Sequence, residues 1–111
     1  MTPSLMISDF PFRIDTVERE GSLVLLVHGE LDIATAPRLD EALERARAGD
    51  ARIVVDLLGV SFIDSSGLHV LIKHARVEGG RPCIHLIKGS PQTKRLFELS
   101  GAADYLPFVS E

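Results

Sequence analysis

Apolar and polar residues alternate from Phe10 to Glu18, the period-two pattern of a strand with one buried face, after a loose start over residues 1–9. Glu20-Gly21-Ser22 supplies a turn, and Leu23 to His28 reads as a second strand rich in Leu and Val. The two form a hairpin, which Gly29 breaks. The period then changes. Leu39, Ala42, Leu43 and Ala46 fall at i, i+3, i+4 and i+7, which gives one apolar face to a helix over Ala36 to Ala48. Thr35 or Ala36 caps it, Pro37 lies in the first turn where a missing N–H costs nothing, and Gly49 stops it.

Arg52 to Leu57 is short and nearly all apolar, a third strand buried on both faces. Leu68, Leu71, Ile72 and Ala75 repeat the helical spacing over Ser65 to Val77, and Gly79-Gly80 ends that helix. Arg81 to Ile87 reads as a fourth strand. Ser90-Pro91 opens a third helix with a capping hydroxyl and a proline at its first position, and Gly101 closes it. Asp104 to Val109 is a last strand, placed at an edge by Pro107. The order β-β-α-β-α-β-α-β is that of a small α/β sheet protein with some parallel pairs.

Length and charge narrow the field. A chain of 111 residues is one domain's worth and buries a core without metal or disulfide staples. Its longest apolar runs, such as Leu23 to Val27, are too short to cross a bilayer, so no membrane role is expected. No basic start joins an apolar segment at the N-terminus, so the expected address is the cytoplasm. A net charge of −4 without a basic cluster argues against direct contact with nucleic acid. The single cysteine, Cys83, sits in a strand-like run as a buried bystander and excludes an internal disulfide.

The stretch Phe62-Ile63-Asp64-Ser65-Ser66-Gly67-Leu68 carries the most chemistry. Strand-like residues run into an acid, two hydroxyls and a glycine, and then a helix begins. Ser65 either caps that helix by accepting a backbone N–H or serves as a modification site, where a phosphate would meet free donors and the positive end of the dipole. Spacing alone leaves both readings open. A hydrolase pairing Ser65 with His69 and Asp32 lacks the glycine-flanked elbow such a nucleophile requires. Asp56 ends an apolar strand as a phospho-accepting aspartate does, but no acid pair follows the first strand to hold Mg²⁺. His28, His69, His74 and His85 are scattered, with no i, i+4 pair on one helical face. No catalytic residue, metal or cofactor is therefore expected.

At Asp64-Ser65-Ser66-Gly67-Leu68 the chain resembles the STAS family, and within it the bacterial anti-sigma factor antagonists. Three further stretches agree in order and spacing: Gly29-Glu30-Leu31-Asp32, the run from Val55 to Asp64, and the run from Pro91 to Gly101. Together they span about Ile14 to Phe108. The resemblance implies a single STAS-like domain over residues 10–111, a mixed sheet with helices packed mainly on one face, following a flexible N-terminal segment over 1–9. It implies a protein that binds an anti-sigma factor serine kinase and releases the sigma factor, is phosphorylated on Ser65, is reset by a serine phosphatase, and is a monomer when free. Asp32, Asp64, Ser66, Gly67 and His69 then surround the phosphosite and meet the partner. The alternative the resemblance leaves is a non-phosphorylated STAS subunit of a larger assembly, such as a lipid-transport complex. His69 stands where relatives usually carry a small residue, and Ala102 where a larger apolar one often follows Ser-Gly.

Overall fold

The computed structural model describes residues 11–87, 89–104 and 106–109; the expected flexible segment and Phe10 lie outside the described residues. Strand β1 (Arg13–Arg19) turns through Glu20-Gly21 into β2 (Ser22–Leu31). Both turn residues have positive φ, 50° and 84°, the two-residue geometry that matches the twist of a tight hairpin. There follow helix α1 (Ala36–Arg47), strand β3 (Arg52–Ile63) and helix α2 (Ser65–His74). A small hairpin, β4 (Val77–Glu78) with β5 (Arg81–Pro82), precedes β6 (His85–Ile87) and helix α3 (Pro91–Ser100). A 3₁₀ turn (Ala102–Asp104) and β7 (Phe108–Val109) complete it.

The main sheet runs β1-β2-β3-β6-β7, antiparallel at β1–β2 and parallel elsewhere, so it is mixed as expected. One row of paired positions, Leu25, Val55 and Leu86, points to a common face. That face buries one core with Leu39 and Leu43 of α1, Leu68 and Leu71 of α2, and Phe97 of α3. The three helices therefore cover the same side, the arrangement that right-handed parallel crossovers in one direction impose.

Several boundaries differ from the pattern reading, each for a local reason. Gly29 does not break β2 but bends it: its φ of 97° is a conformation glycine adopts freely, and pairing continues through Gly29↔Val60 to Leu31↔Ile63. β3 likewise runs past Leu57 for six more residues. Register shifts near Leu58 and Phe62 interrupt its alternation and hid this second half. Asp56 therefore lies within β3 rather than at its end, and its Oδ1 accepts the Leu58 N–H at 2.9 Å where the strand bulges. A Cβ at Gly59 would lie 2.9 Å from the Val27 carbonyl oxygen, so glycine is what allows the strands to stay paired there.

Helix α2 stops at His74 because Gly79-Gly80 turn the β4–β5 hairpin instead of ending the helix. Ile72, assigned to the buried stripe, is exposed. Cys83 is half-buried in a bend rather than within a strand, and its N–H donates to the Arg76 carbonyl at 2.9 Å. The last strand shrinks to two residues, with Ala102–Asp104 taking the 3₁₀ turn. Ala102 is buried there.

Candidate functional site

The site is assembled by two strand ends. Leu31 and Ile63 are register partners at the ends of β2 and β3, so the residues that follow them, Asp32 and Asp64, emerge side by side on adjacent parallel strands. The Asp64 N–H donates to the Leu31 carbonyl at 3.1 Å, which ties the second acid to the first strand. Neither acid is adjacent to the other in sequence. The parallel ladder alone brings them together.

Asp64 is the N-cap of α2. Its backbone is extended (φ −112°, ψ −171°), and its Oδ1 accepts the N–H groups of Ser66 at 2.8 Å and Gly67 at 3.2 Å. Of the two readings the sequence leaves open for Ser65, this removes the helix cap. A capping side chain must sit on the last non-helical residue, and the helix begins one position earlier than a Ser65 cap requires. Ser65 is instead the first helical residue, exposed, and its hydroxyl makes no hydrogen bond among the described residues. Ser66 is half-buried beside it.

Gly67 sets how closely the helix approaches the sheet. It is buried, and a Cβ there would sit 2.6 Å from Leu31 Cγ and 2.9 Å from Ile63 Cγ1. Both belong to core side chains packed against the sheet and have little room to yield. The glycine thus lets α2 start directly against the two strand ends that carry the acids.

Asp32 holds its own loop. Its Oδ1 accepts the N–H of Ala34 at 3.0 Å and of Thr35 at 3.1 Å, while the Thr35 hydroxyl donates to the Glu30 carbonyl at 2.7 Å. Thr35 is the N-cap residue of α1 by backbone position only, because its hydroxyl is committed to this loop. Ile33, at the loop's tip, is 77% exposed. His69 lies one turn along α2 from Ser65, also exposed, beside Val70, Ile72 and Lys73 at a shallow depression of about 370 Å³. The sequence-derived residues Asp32, Asp64, Ser65, Ser66 and Gly67 thus cluster at one corner, with His69 at its margin.

A family model for the STAS domain matches residues 13–111. The chain belongs to the STAS domain family. It is 32% identical over 95 residues to the anti-sigma-B factor antagonist of Staphylococcus aureus strain NCTC 8325 / PS 47, covering 84% of this chain and 88% of that one. A crystal structure of an anti-sigma factor antagonist from Mycobacterium paratuberculosis superposes with a TM-score of 0.79 at 28% identity, over 87% of this chain and 84% of that chain. The anti-sigma factor antagonist SpoIIAA in its unphosphorylated form gives 0.68 at 25% identity, over 90% and 87%. These relatives are regulatory binding proteins, and this STAS domain belongs with them rather than with enzymes. No helix among its described residues is long and apolar enough to cross a membrane.

Two features of the STAS domain were not read from its sequence. The first is an apolar groove of about 320 Å³ between the end of β3 and α3, lined by Phe62, Ile63, Leu96 and Leu99 with Ser61 and Arg95. Phe62 and Leu99 are 48% and 77% exposed. The signal for Phe62 was present, since it precedes the inward-facing Ile63 and so points outward.

The second is a polar link between α1 and α2. His74 is fully buried, its Nε2 2.6 Å from Asp40 Oδ1 and its Nδ1 3.2 Å from Arg47 Nη1. A guanidinium only donates, so Nδ1 accepts and the ring proton sits on Nε2, facing Asp40. The Lys73 ammonium adds contacts to Asp40 at 3.0 Å and Glu44 at 3.5 Å. Asp40, Glu44 and His74 offer metal-ligand atoms within 4.8 Å of one another, but Lys73, Arg47 and the His74 proton already occupy them. His74 is therefore not an isolated histidine, as its spacing from the others suggested. Lys73, exposed on α2, is thus engaged within the domain.

The hydrogen bond from His74, with help from Lys73, holds the Asp40 carboxyl below the ordinary aspartate value. A lowered carboxylate pKa stabilises the fold above the unfolded value, and that contribution is lost as pH falls through the folded one. Asp40→Asn is expected to cost about 1 kcal/mol at neutral pH, a small figure because the carboxylate stays partly in water. It should also flatten the loss of stability on acidification below the ordinary aspartate range. Urea unfolding across a pH series reads both, and parallel curves for the two proteins would rule the link out as a pH-dependent term.

Proposed function

We propose that this STAS domain is a phosphorylation-gated anti-sigma factor antagonist whose switch is Ser65. The unmodified protein binds an anti-sigma factor that is also a serine kinase, and the sigma factor is released. The kinase transfers a phosphate from ATP to the Ser65 hydroxyl, and a serine phosphatase restores it. The cycle takes place in the cytoplasm. The observation that carries this reading is the free, exposed hydroxyl of Ser65 at the start of α2, with the capping role taken by Asp64. Asp32, Asp64, Ser66 and Gly67 shape its surroundings, and His69, with the exposed Ile33 and Phe62, extends the contact surface.

A phosphate on Ser65 brings about −1.5 to −2 charges to a corner that already holds two carboxylates. In the free domain, water and the helix dipole accommodate it. In a complex the same charge must be desolvated, so modification favours release over unfolding. The test is affinity capture from the source organism's lysate with wild type and Ser65→Asp, identifying proteins by mass spectrometry, followed by incubation of the captured kinase with ATP. A kinase-like protein held by wild type, lost with Ser65→Asp, and able to phosphorylate wild type but not Ser65→Ala supports the reading. Equal capture by both proteins and no phosphate transfer overturn it in favour of a constitutive subunit of a larger assembly.

A further inference from the structure

At the end of the sheet opposite Ser65, a cavity of about 540 Å³ opens beside the start of β3. Its lining includes Asp50, Arg52 and Ile53 at the β3 entrance, Arg81 and Pro82 of β5, and His85 of β6. The twelve residues of β3 separate it from the phosphosite by roughly 35 Å of strand. Neither Arg52 nor Arg81 has an ion-pair or hydrogen-bond partner among the described residues. Two guanidiniums against one carboxylate, Asp50, leave the cavity lining net positive in a chain of net charge −4.

His85 adds a directed donor. Its Nδ1 is buried and has no hydrogen-bond partner. An orphaned acceptor is tolerated more readily than an orphaned donor, so Nδ1 carries the bare lone pair and the ring proton lies on Nε2. Nε2 has no protein partner among the described residues and is not sealed from solvent. The cavity thus combines two free forked cations with an unpaired imidazole N–H, a donor set in excess of the single carboxylate, Asp50, that lines it. Phosphate oxygens match it, because each accepts several bonds and a guanidinium engages two at once.

We propose that this cavity binds a small phosphate-bearing anion, held by Arg52 and Arg81 and by the Nε2–H of His85. The site is independent of the role proposed for Ser65. Desolvation and the Arg52 charge hold His85 below the ordinary histidine value, which favours the neutral ring with its proton on Nε2.

The experiment is an NMR titration of the full chain with inorganic phosphate, with sodium chloride at matched ionic strength as the control. Saturating shifts confined to residues around 52, 81 and 85 are expected with phosphate and absent with chloride. The double variant Arg52→Gln, Arg81→Gln should bind at least roughly tenfold more weakly while its spectrum elsewhere stays unchanged. Ser65→Ala should bind as wild type does. Shifts that never saturate, that chloride reproduces, or that persist undiminished in the double variant overturn the site.

Discussion

Phosphorylation of Ser65 is expected to weaken the complex with the anti-sigma factor by about two to three decades, a loss of roughly 3–4 kcal/mol in binding. Ser65→Asp, with one charge on a shorter side chain, should lose at least roughly tenfold. The argument rests on two opposing signs. A negative group at the first helical position interacts favourably with the helix dipole, worth roughly 0.3–1 kcal/mol, which offsets repulsion from Asp32 and Asp64 in the free domain. Across an interface water no longer screens that repulsion, and a charge without a partner there costs far more than the dipole returns. The free variant should therefore melt within a few degrees of wild type while its affinity collapses. Titration calorimetry with the purified partner and thermal unfolding of the free domain read the two signs separately. Wild-type affinity in the Asp variant would sink the switch, and a large fall in melting temperature would make the defect one of folding.

Gly67→Val is expected to destabilise the domain by about 2–3 kcal/mol, lowering its melting temperature by roughly 10–20 °C. Helix propensity does not offset this, since valine gains little over glycine within a helix. The cost comes from space: even the first added carbon would lie 2.6 Å from Leu31 Cγ, and valine brings two more. The helix must then back away from the strand ends, which also pulls Ser65 and the Asp64 cap out of place. Gly67→Ala, whose better propensity opposes the clash, should fall between the two. Melting curves for the three proteins give the order, and a valine variant as stable as wild type would mean that Leu31 and Ile63 can give way.

Much of this was legible in the sequence because the helices obey their period and their punctuation. Leu39, Leu43, Leu68 and Leu71 all lie in the core that their spacing assigned them to. β3 was cut short because Leu58 and Gly59 break its alternation, and a strand bulge looks like a turn when only one strand is visible. At the site, Asp64 and Ser65 were both in view, yet propensity favours either as a cap. The difference of one residue is decided by where β3 releases the chain, which depends on pairing with Leu31. The Asp40–His74 link lies 34 residues apart in sequence and arises only when α1 and α2 pack side by side. No local pattern encodes it.

The bulges in β3 also impose a parity on that strand. Pairing steps from Leu26↔Asp56 to His28↔Gly59, and again from Gly29↔Val60 to Glu30↔Phe62, so β3 spends one extra residue at each step. Because a strand's side chains alternate faces, each extra residue reverses which numbers point inward. Val55 and Leu57 face the core as odd positions, Val60 faces it as an even one, and Ile63 as an odd one again. The two reversals cancel. Loss of the extra residue at either bulge would remove that bulge and its reversal together, so Ile63 would stay opposite Leu31 and Asp64 would keep its place at the start of α2. The extra residues are thus slack that the pairing with β2 takes up, and the corner that carries Asp64 and Ser65 is positioned by Leu31 and not by the length of β3.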